Sequence, residues 1–465
     1  MRVAPSIFRE YDVRGRIDGE LTPEAARLIG RAFGSEMRRR GLATAVAGRD
    51  VRPSSPALLD AVVGGLRAAG IGVTTIGQVT TPMVWHANLT LPRDAGVMVT
   101  GSHNPPEFNG IKLALGAAPF FGEDVAALRS RIEADDFASG SGAFETRDHA
   151  PAYLADVRGR VRLRRPLTVA LDCGNGVAGP FVAPLLAELG CTLHPLYLEP
   201  DGRFPNHLPD PEVPEYVRDL IAEVRRTGAD VGLGFDGDGD RVGVVDETGV
   251  KWGADRVLIL LARDVLRRHP GGVVRYDVKC TDDLEAAVRA AGGEPVMGRT
   301  GHSILKRDVR ELGAVLGGEL SGHIVFGRDY LPIDDALYAA LRVLEIVAGA
   351  PGPLSARLAD LPPRVSTAEI KVRCPDEAKF RVVEAVRAEL ESRFPVVAVD
   401  GARVRFPDGW GLVRASNTTP VLTVRLEARD APALERIRAE LRRALARHGE
   451  VTIGDLDAGR DSHAS

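Results

Sequence analysis

Between two apolar runs, Val231 to Phe235 and Val242 to Val245, the chain reads Asp236-Gly237-Asp238-Gly239-Asp240-Arg241. Three carboxylates at alternate positions, spaced only by glycine, cannot easily avoid one another. Gathered within about 5 Å, each ionised pair repels by roughly 3 kcal/mol at an effective dielectric of about 20. Positive charge has to offset that. A hard divalent cation with oxygen ligands does so economically, and glycine lets the backbone turn sharply enough to aim the side chains inward. A polar surface turn is the plain alternative, since Asp and Gly are favoured turn residues. The flanks, however, read as strands, and a turn at Asp246-Glu247-Thr248-Gly249 follows the second of them. An EF-hand is excluded, although Glu247 falls twelfth counting from Asp236. Its sixth position holds Arg241 where glycine is needed, and its flanks are not helical. A strand-loop-strand metal site is the expectation.

The 465 residues suffice for about two to four domains with buried cores. A formal charge of −4 gives no bulk electrostatic case for nucleic acid or a membrane surface. Met1-Arg2-Val3-Ala4-Pro5 is not followed by a signal-like apolar segment, and no run approaches a membrane span. A cytoplasmic protein is expected, monomeric and without nucleic-acid or membrane partners. Cys173, Cys191, Cys280 and Cys374 form no CxxC pair and are expected as reduced thiols in or near cores. Only six of the 60 cationic residues are Lys, which makes each Lys more telling, because Lys can release a proton and Arg effectively cannot.

Strands and helices alternate nearly throughout, which predicts α/β layers. Leu21 to Arg40 and Pro56 to Ala69 read as helices, with strands at Thr44 to Gly48, Gly72 to Ile76 and Val97 to Thr100. The polar stretch Asp135 to Asp148 marks a first boundary. Strand Leu167 to Leu171, helix Phe181 to Leu189 and strand Thr192 to Tyr197 then lead to the aspartate loop. Another succession begins near Asp255, and Leu361-Pro362-Pro363-Arg364 marks its end. The last part reads as α+β: a strand at Glu369 to Arg373, a helix at Asp376 to Arg393, three short strands and a closing helix at Ala431 to Arg447. The expected layout is three similar mixed α/β domains, residues 1–148, 149–253 and 254–363, and a C-terminal α+β domain, residues 364–465. The tail from Gly454 to Ser465 is polar and expected to be loosely held.

Three further loops carry chemistry. Thr100-Gly101-Ser102-His103-Asn104-Pro105-Pro106 presents Ser102 at a strand's end on a constrained backbone, where the hydroxyl is placed as a nucleophile or phosphate carrier. His103 adjoins it, and Lys112 lies ten residues on; both residue types move protons when suitably perturbed. Arg414-Ala415-Ser416-Asn417-Thr418-Thr419-Pro420 offers a guanidinium, hydroxyls, an amide and turn N–H groups, the donors that a phosphate dianion needs. In Gly317-Gly318-Glu319-Leu320-Ser321-Gly322-His323, Glu319 and Ser321 are spaced to hydrogen-bond neighbouring sugar hydroxyls. Each of the three has an ordinary polar loop as its alternative. A fourth loop, Gly174-Asn175-Gly176-Val177-Ala178-Gly179, matches the dinucleotide fingerprint, with Glu199 about twenty residues beyond. It would make an NAD-dependent oxidoreductase, but Asp172 just ahead would oppose a pyrophosphate.

Taken in order, TGSHNPPEFNGIK, GFDGDGDRVG, GGELSGH and RASNTTP resemble the phosphoserine, metal, sugar and phosphate loops of the α-D-phosphohexomutase superfamily. The resemblance spans nearly the whole chain. Further matches are Tyr11-Asp12-Val13-Arg14-Gly15, Gly48-Arg49-Asp50, Asp277-Val278-Lys279-Cys280 and Arg299-Thr300-Gly301-His302. It implies four domains around a central active-site cleft, each contributing one loop. GGELSGH is most similar to the bacterial phosphomannomutase/phosphoglucomutase group, with Leu320 where Met is typical; phosphoglucosamine mutases usually carry Gln there.

The resemblance implies interconversion of hexose 1-phosphate and hexose 6-phosphate, of mannose, glucose or both, through phosphorylated Ser102 and a 1,6-bisphosphate intermediate that also activates the enzyme. Mg²⁺ would be held by Asp236, Asp238, Asp240 and a phosphate oxygen on Ser102. Arg414, Ser416, Asn417 and Thr418 would hold the phosphate that the substrate already carries, and Glu319 and Ser321 the ring hydroxyls. Lys112 and His323 are candidates for general acid or base. His103, Arg14 and Arg241 would set local charge, and Tyr11, Lys279 and His302 would contact the sugar. A phosphoglucosamine mutase, the NAD-dependent reading and a non-catalytic sugar-phosphate sensor are the alternatives.

Overall fold

The computed structural model describes residues 3–417 and 419–457. Among these, thirteen α-helices alternate with strands gathered into four sheets, the α/β class that the alternation predicts. The residues fall into two units. One comprises Met1–Arg275, Val288–Glu294 and Gly301–Arg357, and the other Tyr276–Ala287, Pro295–Thr300 and Leu358–Ser465.

In the first unit, helix Pro23–Arg39 begins where its chemistry dictates. The Thr22 side chain accepts from the Ala25 N–H, Pro23 needs no donor partner, Glu24 lies at the positive end of the helix dipole, and Arg38 and Arg39 at the negative end. It covers a seven-stranded sheet whose centre is strand Thr44–Arg49, parallel to Ala95–Val99 on one side and Gly72–Gln78 on the other. Strand Phe108–Leu115 runs antiparallel to Ala95–Val99, pairing Lys112 with Met98. The short strand Val13–Arg16 adds to its far edge. Within the polar stretch Asp135 to Asp148, strand Phe144–Thr146 closes the opposite edge beside Gly72–Gln78. Its three residues are exposed, so no apolar pattern could announce them.

A second, five-stranded sheet places Val231–Phe235 parallel to Thr168–Asp172 and antiparallel to Val242–Asp246. That last pairing is the hairpin expected around the aspartates. The serine loop follows Ala95–Val99 and the aspartate loop follows Val231–Phe235, both at the carboxyl ends of strands with a parallel neighbour, where open α/β sheets hold ligands.

The second unit carries a six-stranded sheet whose neighbouring strands pair antiparallel. Helices Asp376–Glu391 and Ala431–Leu445 pack over it on a core that includes Val382, Leu426 and Leu441. The α+β reading holds. Its strands Gly409–Ala415 and Val421–Ala428 are longer than the short strands expected. The start of the tail is also tied down: Leu456 is buried, and Asp455 accepts from the Arg373 N–H and guanidinium. All four cysteines are buried free thiols. No helix among the described residues is long and apolar enough to cross a membrane.

Helix Thr81–Thr90 brings His86 against His149, their ring nitrogens Nδ1 and Nε2 2.9 Å apart, while His86 Nε2 lies 3.2 Å from Asp156. Both imidazoles are buried. Burial pushes His149 down to about 4, with His86 and Arg147 adding to the effect, and burial likewise lowers His86 against the pull of Asp156. Depressed folded pKa values mean that, below the ordinary histidine value and down to about 4, the unfolded chain binds protons that the folded one refuses. Stability therefore falls as pH falls through that window. Urea titrations across it should show the midpoint dropping with pH, and His149→Gln should flatten the slope; an unchanged slope contradicts the assignment.

Candidate active site

Asp236, Asp238 and Asp240 are fully buried, and one carboxylate oxygen from each lies within 4.8 Å of the others. Two backbone features permit this. Gly239 has φ +72°, a left-handed turn that a side chain resists. At Gly237, a Cβ would lie 2.4 Å from the Ser102 carbonyl oxygen, so only glycine lets the two loops touch.

Cations answer the carboxylates from two sides. Lys112 Nζ donates to Asp238 at 2.8 Å and to Asp240 at 2.6 Å. Arg241 Nε donates to Asp236 at 3.1 Å, and its Nη1 reaches Asp210 at 3.2 Å. Thr81, opening the helix that carries His86, donates its hydroxyl to Asp238 at 2.5 Å. Although burial works to raise Asp238 and Asp240, Lys112 holds both below the ordinary carboxylate range. Asp236 is instead raised, by burial and then by the charges of Asp240 and Asp238. Lys112 is itself raised: burial opposes its charge, and the carboxylates of Asp238 and Asp240 prevail. The loop thus sets three carboxylates against two nearby cations.

Asp238 Oδ1 and Asp240 Oδ1 are buried with no hydrogen-bond partner. Buried acceptors without donors are costly, and hard oxygen donors of this kind suit a divalent cation such as Mg²⁺. The residues fit the group.

Ser102 lies beside this cluster. Its Oγ donates to Asp236 Oδ2 at 2.8 Å and sits 3.1 Å from His103 Nδ1. Its backbone adopts φ +48°, a sparsely populated region for a non-glycine residue and a form of strain that persists when surroundings impose it. Burial, then the cations of Arg241 and Arg14, push His103 down to about 3, so it faces Ser102 as a neutral imidazole. Arg14, on strand Val13–Arg16, donates to Asn104 of the same loop at 2.7 Å and to Asp12 at 2.6 Å.

The Gly317–His323 loop joins the aspartate loop directly, because the backbones of Arg241 and His323 pair. His323 Nδ1 lies 3.2 Å from Asp334 and 3.8 Å from Asp240. Burial opposes its charge, but Asp240 and Asp334 raise its pKa. His302 stacks on His323 with centroids 5.3 Å apart and meets Tyr11 edge-on at 6.1 Å. Glu319 accepts from the Gly301 N–H and, at 3.1 Å, from the Ser321 hydroxyl. The first unit therefore gathers Tyr11, Arg14, Ser102, His103, Lys112, the three aspartates, Arg241, His302, Glu319, Ser321 and His323.

Lys279 and the 414–418 loop belong to the second unit. There Lys279 pairs with Glu369 and lies 3.6 Å from Asp277. Arg414 Nε donates to Asp400 at 3.0 Å, and Asp400 also accepts from the Thr300 N–H at 3.0 Å. The Ser416 hydroxyl lies 2.9 Å from that of Thr419 and accepts from the Thr419 N–H, while the Ser416 N–H donates to Val421. Asn417 sits in this turn; Thr418 lies outside the described residues.

Sequence reasoning missed Asp334, Asp210 and Thr81. Their signals were faint: an acidic pair at Asp334-Asp335 inside an apolar stretch, an aspartate between two prolines in Pro209-Asp210-Pro211, and a Thr-Thr-Pro helix start. The fingerprint glycines have a packing explanation. A Cβ at Gly176 would crowd the Gly237 backbone at 2.9 Å and one at Gly179 the Leu198 carbonyl at 2.1 Å, while Asp172 accepts from the Gly174 N–H at 2.8 Å. The dinucleotide reading is not favoured.

Four family models match in succession: phosphoglucomutase/phosphomannomutase alpha/beta/alpha domain I over residues 5–139, domain II over 151–249, domain III over 253–365, and the C-terminal domain over 369–444. A phosphomannomutase/phosphoglucomutase from Pseudomonas aeruginosa is 46% identical over 441 residues, 95% of each chain. A phosphoglucomutase from Neisseria gonorrhoeae is 43% identical over 440 residues, covering 94% of this chain and 95% of the relative. The crystal structure of a phosphoglucomutase/phosphomannomutase family protein from Burkholderia thailandensis superposes with a TM-score of 0.91 at 45% identity, over 96% of this chain and 99% of that one.

The cation site is testable without any assay of turnover. Asp238→Asn removes one of three carboxylates, and Mg²⁺ or Mn²⁺ affinity by calorimetry should fall by more than the roughly 10–100-fold typical of groups one step removed from a metal. Wild-type affinity in the variant would contradict the assignment.

Proposed function

The chain belongs to the phosphoglucomutase/phosphomannomutase family, and from that premise we propose that it interconverts the 1-phosphate and 6-phosphate of glucose and mannose. The observation that carries the reading is the Ser102 hydroxyl, 2.8 Å from Asp236 and 3.1 Å from His103, beside a buried carboxylate cluster fit for a cation.

In the proposed cycle, phosphorylated Ser102 gives its phosphoryl group to the free hydroxyl of a hexose monophosphate. The P–O bond to Ser102 breaks, a P–O bond to the sugar forms, and the sugar hydroxyl's proton passes to a protein base. The bisphosphate turns over, and Ser102 Oγ then takes the opposite phosphoryl group as a proton returns to the departing sugar oxygen. Mg²⁺ on Asp236, Asp238 and Asp240 would supply charge neutralisation as the phosphoryl group transfers. His323, beside Asp334, and Lys112 are the candidates for moving the proton. Lys112, held cationic by two carboxylates, acts as an acid or fixed charge until that pairing loosens.

Glu319 and Ser321 would hold ring hydroxyls, with Tyr11, His302 and Lys279 also on the sugar. Arg414, Ser416, Asn417 and Thr418 would hold the resident phosphate. Hydroxyls common to glucose and mannose would leave the two sugars poorly separated. The domain limits we infer are 1–148, 149–253, 254–363 and 364–465. A monomer in the cytoplasm suits a chain that supplies all these groups itself and acts on anions that do not cross membranes unaided.

Two measurements test the reading. Ser102→Ala should lower mutase turnover, with bisphosphate activator present, by about three orders of magnitude or more; near-normal turnover would overturn the phosphocarrier role. In coupled assays, kcat/KM for glucose 1-phosphate and mannose 1-phosphate should agree within about tenfold and exceed that for glucosamine 1-phosphate. Preference for the amino sugar would favour a phosphoglucosamine mutase.

A further inference from the structure

Arg52, in Asp50-Val51-Arg52-Pro53, follows the central strand Thr44–Arg49, and its side chain is fully buried. Its guanidinium makes four hydrogen bonds to backbone carbonyls of one short segment. Nη1 donates to Pro105 at 2.7 Å and Phe108 at 3.0 Å, while Nη2 donates to Ser102 at 2.8 Å and to Asn104. The group packs against the residue before Ser102, where a Cβ on Gly101 would meet Nε at 2.4 Å and Cζ at 2.5 Å. Asp50 fixes the other side, its Oδ2 3.2 Å from Arg52 Nε. The same carboxylate also accepts from the Thr100 hydroxyl, the Gly101 N–H and the Ser55 hydroxyl. Beyond it, the Phe204 ring centroid is 5.0 Å from Cζ.

Neutral carbonyls have no reason to converge unless a donor array gathers them, and a planar guanidinium with five N–H groups does so in one fixed geometry. A planar trans peptide points its C=O and N–H in opposite directions. The Ser102 N–H donates to Thr100 Oγ1 at 2.8 Å, which fixes the peptide before it; with the Ser102 carbonyl held on Arg52 as well, the residue is held at its φ of +48° and the following His103 N–H is turned to the opposite side. The same carbonyl oxygen is the atom against which Gly237 of the aspartate loop packs. Arg52 therefore fixes both the strained backbone of Ser102 and its approach to the aspartate loop.

We propose that Arg52 is the positioning residue of the phosphoserine loop, acting through the backbone of Ser102–Phe108 and not through contact with substrate. The proposal rests on the phosphoryl-transfer reading of Ser102, because only that chemistry makes the placement of Oγ rate-determining.

The test combines kinetics with amide hydrogen exchange on the full-length protein. For Arg52→Lys and Arg52→Gln, kcat should fall about 100-fold, the scale of a misplacement of about 1 Å, with KM little changed. Exchange should quicken in residues 100–109 and stay as in wild type across the second unit. Free guanidinium ion at millimolar concentration should restore turnover to Arg52→Ala and not to Ser102→Ala. Should Arg52→Ala not fold, the lysine variant carries the same comparison. Turnover close to wild type in a folded variant, or a loss confined to KM, would overturn the proposal. Wild type without mutase turnover would overturn the functional reading alone, and the exchange of residues 100–109 would then decide whether Arg52 holds the loop.

Discussion

Three carboxylates in one dry loop are the constraint on which the rest of the site depends. Each would bear a large desolvation cost as an isolated ion, and together they repel. The chain resolves this by bringing Lys112 from the first sheet and Arg241 from the loop's own end, so that every aspartate has a cation within hydrogen-bonding distance. The compensation is also architectural. Lys112 belongs to the strand that pairs with Ala95–Val99, and that strand delivers Ser102. Thr81 ties a helix of the first sheet to Asp238. Charge balance thus holds the carboxyl ends of two separate sheets against each other, and the Ser102 hydroxyl is placed at the join.

A second tier of ion pairs keeps the first in register. Asp334 takes Lys306 on one oxygen at 2.8 Å and lies 3.2 Å from His323 by the other. Asp210 takes the far side of Arg241. Asp334, Lys306 and Arg241 are buried, so removing one partner strands a charge rather than merely deleting a contact. Such networks are expensive to build and hard to vary piecemeal. In the second unit Asp400 does related work, joining the Arg414 side chain to the Thr300 backbone.

Much of this was legible in the sequence, for identifiable reasons. The aspartate hairpin declared itself because glycine spacing, apolar flanks and an unfavourable charge density coincide in one short run. Ser102 stood out because Gly, Asn and paired Pro constrain its loop. What stayed hidden was the long-range ion pairing that supports these loops. Nothing in Phe108–Leu115 says that Lys112 meets carboxylates more than a hundred residues later, and a solitary aspartate such as Asp334 has no pattern of its own. Arg52 escaped for a different reason: its partners are carbonyls, which every residue has, so no motif marks them. The strand Phe144–Thr146 was missed because its exposed residues give no period to read. Conversely the Gly174–Gly179 loop offered a clear motif with the wrong implication, since close packing against Gly237 and Leu198 asks for the same glycines as a pyrophosphate would.

Ser102 is proposed to carry a phosphoryl group beside the aspartate cluster. Incubation with a radiolabelled hexose 1,6-bisphosphate and Mg²⁺, followed by peptide mapping, tests it most directly. Stoichiometric label is expected on the peptide containing Ser102, dependent on the divalent cation and released to added hexose monophosphate as bisphosphate. Label on any other residue, or label that forms equally well after chelation of the cation, would contradict it.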